Sequence, residues 1–133
     1  MKKYIAFLYL GLIPLLSAAQ LPPLQMSNET RFIEGGVGQS ESDAIKMEAK
    51  RWPLFLEFSQ TNGNKSEWVS NVLLVLKDAN GVQLLSHQVD GPFILVDLKP
   101  GKYSSESTYG TQKLLNNFYV TNGQHKKMNI NWR

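Results

Sequence analysis

From Pro53 onward the chain alternates apolar and polar residues with a period of two, broken at short intervals by glycine, proline and asparagine. Leu54, Leu56 and Phe58 alternate with Phe55, Glu57 and Ser59, which predicts a first strand ending in the loop Thr61-Asn62-Gly63-Asn64-Lys65. Val72, Leu74 and Leu76 share one side of a second strand, Trp68 to Lys77. Asp78-Ala79-Asn80-Gly81 then predicts a hairpin, because Asn-Gly tolerates positive φ, with Val82 to Val89 as the return strand. Phe93 to Leu98 is apolar on both faces until Asp97, which marks a strand central in a sandwich. Lys102 to Tyr109, residues 112–120 and His125 to Trp132 complete the set, with a hairpin signal at Thr121-Asn122-Gly123-Gln124 between the last two. Seven short strands with regularly spaced turns predict an all-β, antiparallel β-sandwich.

Before Pro53 the period is helical. Ile45, Ala49 and Trp52 fall on one face, Ser40 and Asp43 have the spacing of a capping box, and Lys46, Lys50 and Arg51 suit the negative end of a helix dipole. One short amphipathic helix is expected from about Ser40, stopped by Pro53. Residues 20–33 hold two prolines and no clear period, and read as an extended, partly mobile lead-in to the turn Glu34-Gly35-Gly36-Val37-Gly38.

The first residues change the expected address. Lys2 and Lys3 precede an apolar run from Tyr4 to Leu16 and the small residues Ser17-Ala18-Ala19, the layout of a secretory signal peptide cleaved near Ala19. That run is shorter than the roughly 20 residues of a membrane span. Three segments follow: 1–19 as signal peptide, 20–39 as lead-in with its glycine turn, and 40–133 as helix plus sandwich. Two of the 14 basic side chains leave with the signal, against 11 acidic ones, so the mature chain is nearly neutral. Its lysines are scattered in sequence, so neither nucleic acid nor an anionic membrane surface is an expected partner. There is no cysteine, hence no disulfide, thiolate ligand or lipid-anchor site. The protein is expected to be released, in a bacterial cell into the periplasm.

The run Asp90 to Gly110, DGPFILVDLKPGKYSSESTYG, resembles the carboxypeptidase regulatory-like, or transthyretin-like, domains, which carry a similar GPF-x-L-x-x-LPPGxYxVxAxYxG passage between two central strands. The similarity extends more loosely to KDANG and to the terminal NINWR, covering about Ile33 to Trp132. It implies a prealbumin-like Greek-key sandwich and a non-catalytic role. Ser105 and Ser107 depart from the pattern, which favours apolar residues there; either the tyrosines fill the core above them or that face is partly wet. Within the motif, Pro100 and Gly101 are expected at the two central positions of a type II turn, with Gly101 at positive φ.

Candidate chemistry is sparse. His87 and His125 belong to no metal-ligand spacing, no GxSxG elbow is present, and Ser104, Ser105 and Ser107 read as strand residues. No catalytic residue, metal or cofactor is assigned. Asp97 is expected to be satisfied locally at its strand end. Glu34, Gly35, Gly36 and Gly38 precede the helix N-terminus, where backbone N–H groups hold anions, although the run lacks the Lys-Ser/Thr of a phosphate loop. Trp52, Trp68 and Trp132 with Tyr103, Tyr109 and Tyr119 suggest either core aromatics or a sugar-binding platform, and Trp68, beside a polar loop, is the expected exposed one. The resulting expectation is an exported, non-enzymatic interaction or accessory module with an envelope protein or glycan as partner. The alternative is a carbohydrate- or small-ligand-binding module.

Overall fold

The alternating segments pair into two sheets packed face to face. The computed structural model describes residues 20–133, and the predicted signal peptide lies outside the described residues. In chain order the elements are β1 (Gln25–Ser27), β2 (Thr30–Gly35), α1 (Gln39–Glu48) with a 3-10 turn at Ala49–Arg51, β3 (Leu54–Asn62), β4 (Lys65–Trp68), β5 (Val72–Asp78), β6 (Gln83–Val89), β7 (Phe93–Val96), β8 (Gly101–Tyr109), β9 (Gln112–Val120) and β10 (Lys126–Trp132). The first sheet runs β1-β2-β7-β3-β10, with β4 paired to the far end of β3; the second runs β6-β5-β8-β9.

Two hydrophobic clusters explain why β7 carries no polar residue. Ile94 and Val96 join Leu54, Leu56, Phe58, Ile130 and Trp132 in the main core, together with Val72, Leu74, Leu76, Leu85 and Phe118 of the second sheet. Phe93 and Leu95 point the other way, into a smaller cluster where Ile33 and Phe55 meet Ile45, Ala49 and Trp52 of the helical segment. The first sheet is thus covered on both faces near β7, by the second sheet and by α1. Each fully buried Phe or Leu contributes about 1.5–3 kcal/mol relative to exposure. α1 therefore docks as predicted, with Ile45 on its buried face.

Several expectations require correction. The lead-in is not loose: residues 25–35 form β1 and β2, joined through Asn28 and Glu29 at φ 50° and 67°, the paired left-handed residues of a tight hairpin. β2 showed no alternation because Phe32, Ile33 and Glu34 are all buried, one face on each cluster. The predicted second strand splits at Val69-Ser70-Asn71, where the chain crosses from β4 in the first sheet to β5 in the second. Ten strands, not seven, are present among the described residues. Nor is the sandwich purely antiparallel: β10 runs parallel to β3, from Lys126 opposite Leu54 to Trp132 opposite Gln60. Thr121 to Gln124 is consequently a crossing between sheets and not a hairpin. In the Asp78 to Gly81 turn only Gly81 takes positive φ, and Asp78 Oδ1 accepts the N–H groups of Asn80 and Val82 at 2.9 Å. A bulge between Leu76 and Lys77 precedes this turn.

The Leu98-to-Tyr103 passage also differs. Gly101 is absent from the positive-φ glycines and opens β8 as an ordinary strand residue, with Pro100 in the bend before it. The passage carries the chain between sheets, and Tyr103 closes it by donating its hydroxyl to the Lys99 carbonyl. A Cβ on Gly101 would meet the Tyr103 ring at 3.7 Å, ordinary contact. Ser105 and Ser107 are buried on the core side, and their hydroxyls have no hydrogen-bond partner. That face is dry, with the tyrosines above it.

Two outcomes are expected. Ser105→Ala and Ser107→Ala remove buried, unpaired hydroxyls and should leave stability unchanged or raise it by about 1 kcal/mol each, read by urea denaturation. Burial first, and the charge of Asp78 second, raise the Tyr103 pKa above the ordinary 10.0. The folded state therefore keeps a proton that the unfolded chain releases, so this contribution is full below pH 10 and is lost as pH rises through the raised value. Stability against pH above 10 should fall less steeply in Tyr103→Phe than in the parent.

Candidate functional site

The glycine turn follows β2 directly, where an extended, partly mobile lead-in was expected. Gly36 and Gly38 hold φ of 99° and 88°, which L side chains adopt with strain. A Cβ on Gly36 would also collide with the Phe93 ring, so the chain can pass over β7 here only as glycine. α1 then starts at Gln39, not Ser40, and Gly38 caps it without a side chain. The proposed capping box does not form. Asp43 accepts from Gln39 Nε2 at 2.9 Å, while Glu41 reaches back to accept the Gly36 N–H at 2.8 Å.

Trp68 stands opposite this turn at the end of the edge strand β4 and is 49% exposed. Its ring meets Phe93 edge-on at 4.9 Å, and Lys46 Nζ from α1 lies 4.9 Å from its centroid. Between Trp68 and the glycine turn lies an open cleft of about 400 Å³, lined by Gly36 to Gln39 on one side and Trp68, Ser70 and Pro92 on the other. Ser42 completes the lining. It is 1% exposed and its hydroxyl has no hydrogen-bond partner.

The other side of Trp68 borders a second hollow of about 440 Å³, with Glu57, Ser59, Ser66, Glu67 and Asn129. Here the outward residues of β3 and β10 form a polar ladder. Asn129 Nδ2 donates to Glu57 Oε1 at 2.7 Å, Ser59 donates to Asn129 Oδ1 at 3.1 Å, and Asn131 Nδ2 donates to Ser59 at 2.9 Å. Trp68 thus presents an indole between two hollows rich in hydroxyl, amide and backbone groups.

Of the sequence candidates, the fold brings Gly36, Gly38 and Trp68 to one cleft. Glu34 and Gly35 have another role. Glu34 is 8% exposed and points toward β6, where His87 Nε2 lies 2.9 Å from both carboxylate oxygens. A carboxylate accepts only, so the ring nitrogen is the donor. The same carboxylate accepts Gln25 Nε2 at 2.8 Å and the Asp90 N–H at 2.6 Å. Together they latch β2 to β6 across the open side of the sandwich. Gly35 is packed against Glu41 and the backbone of Gly91. His125 Nδ1 donates to the Trp52 carbonyl at 2.8 Å, and Asp97 pairs with exposed Arg31 at 2.9 Å. Glu106 has its pKa lowered first by the hydrogen bond from Lys77 and then by that ammonium's charge and the hydrogen bond from Lys113; it lies on β8, in the sheet opposite the cleft.

Sequence reasoning missed Ser42, a polar helix residue that the fold buries at the wall of the cleft. It also missed the convergence of charge: Lys46 and Lys50 of the helical segment border one hollow with Lys126 and Lys127 of β10. The lysines are scattered in sequence but not in space. No family model, curated protein or solved structure matches the chain.

Glu34→Ala leaves the Asp90 N–H and the His87 ring nitrogen without their acceptor, and should cost about 1–3 kcal/mol in denaturant unfolding. Gly36→Val should lower the melting temperature, through both the Phe93 collision and the strained φ, more than Gly101→Val; equal effects would contradict the turn geometry.

Proposed function

We propose that the protein is an exported, non-enzymatic binding module that takes a saccharide-like ligand against Trp68. The observation that carries this reading is the half-exposed Trp68 indole, braced by Phe93 and Lys46, with a hollow on either side. An indole face covers the C–H face of a sugar ring, and the surrounding hydroxyl, amide and carboxylate groups suit its hydroxyls. The side-chain-free start of α1 offers further backbone contacts in the first cleft.

A non-catalytic role is supported by how the reactive groups are used. His87 and Glu34 are occupied in the latch, His125 is bonded to backbone, and Ser105 and Ser107 lie in the dry core. The carboxypeptidase regulatory-like resemblance, with its Greek-key connectivity, and export by a cleaved signal peptide belong to this proposal. The signal layout, the absence of cysteine and the resemblance support them. Among the described residues no helix is long and apolar enough to cross a membrane. Recognition of an envelope protein is the broader version of the same reading.

Intrinsic fluorescence separates the tryptophans, because Trp52 and Trp132 are buried and Trp68 is not. Titration with oligosaccharides should shift the emission of the parent protein, and Trp68→Ala should weaken binding by about 1–2 kcal/mol. A flat response across neutral and acidic oligosaccharides would contradict the reading.

A further inference from the structure

The hollow of about 310 Å³ beside Lys46 has an apolar floor, Phe55 and Ala49, and a basic rim. The rim consists of Lys46 and Lys50 from the helical segment, His125 just before β10, and Lys126 and Lys127 at its start. Residues nearly eighty positions apart meet because β10 runs parallel to β3 from its first residue. The Lys126 N–H donates to the Pro53 carbonyl at 2.8 Å, and Lys126 and Lys127 lie beside Leu54 and Phe55.

Little negative charge answers this rim. Lys127 Nζ lies 4.0 Å from Glu57 Oε2, which also accepts from Asn129 through its other oxygen, and 5.4 Å from the Phe55 ring centroid. Glu48 is engaged with Arg51 and with the Trp52 indole N–H. Lys46 is held over Trp68 and Phe93, whereas Lys50 and Lys126 have no acidic partner among the described residues. A folded surface that gathers cations without counter-charges raises the local potential and attracts anions.

The geometry points to an acidic polysaccharide as the occupant: we infer that this basic hollow binds the carboxylates of a glycan strand whose neighbouring ring lies on Trp68. Lys46 joins the two places, since it lines the hollow and also covers the Trp68 ring. Glu57 and Lys127 join the hollow to the polar ladder in the same way. The saccharide nature of the occupant rests on the Trp68 reading; its negative charge rests on the hollow alone. A hollow rimmed by lysines beside an exposed indole fits a ribbon of rings with pendant anions better than it fits a flat membrane surface.

Polygalacturonate and its fully methyl-esterified form test this, because they share a backbone and differ in charge. Polygalacturonate should bind the parent more tightly than the ester, with an affinity that falls as salt is raised. The double variant Lys50→Ala/Lys126→Ala should lose roughly tenfold in affinity for polygalacturonate and nothing for the ester. Lys99→Ala/Lys102→Ala removes the same charge elsewhere and should change neither. Equal losses in the two double variants, equal binding of acid and ester, or no binding of polygalacturonate would overturn the inference. So would preferential, lysine-dependent binding of phosphatidylglycerol vesicles or single-stranded DNA. Failure of the Trp68 reading shows separately, as ester binding that is absent or indifferent to Trp68→Ala while lysine-dependent polygalacturonate binding persists.

Discussion

Burial of β7 on both faces is the constraint from which the arrangement follows. Four consecutive apolar residues, Phe93 to Val96, leave no side of this strand that tolerates water. The second sheet covers Ile94 and Val96, and α1 has to cover Phe93 and Leu95. Phe93 does more than fill space. Its ring excludes any side chain at Gly36, meets Phe55 at 5.4 Å and Trp68 at 4.9 Å, and lies under Lys46. One core residue therefore sets the path of the glycine turn, the seat of the helix and the orientation of the exposed indole.

α1 covers only part of the outer face of the first sheet. Beyond Phe55 the outward positions of β3 become Glu57, Ser59 and Thr61, and those of β10 are Lys127, Asn129 and Asn131. The switch from apolar to polar along a single strand marks where the helix stops. A sheet face left open beside a helix, edged by a tryptophan and a row of amides, has the shape and chemistry of a binding surface. The opposite edge of the sandwich serves stability instead, through the Glu34, His87 and Asp90 latch.

Most of the architecture was legible because period-two alternation and turn residues report half-buried strands. It failed where burial is two-sided or where partners are remote. β2 shows no alternation since Phe32 and Ile33 face different clusters, and Glu34 concealed its burial because two of its hydrogen-bond partners, His87 and Asp90, lie 53 and 56 residues away. Parallel pairing of β10 leaves no local signature, and Thr121 to Gln124 has the composition of a hairpin whichever sheet receives the next strand. Gly101 misled because Pro-Gly suits a type II turn, whereas here the reversal is spread over an inter-sheet crossing tied by Tyr103. Trp68 was readable, since it sits beside a polar loop; the lysine cluster was not, since only the β3 and β10 pairing creates it.

The central claim is that the outer face of the first sheet beside α1 is the binding surface. Amide and indole chemical-shift mapping by NMR during titration with polygalacturonate tests it most directly. The account predicts that perturbations concentrate at Gly36 to Ser42, the Trp68 indole N–H, Lys50 and Lys126 to Asn129. Perturbations confined to the outer face of β5, β8 and β9, or none at saturating polymer, would contradict it.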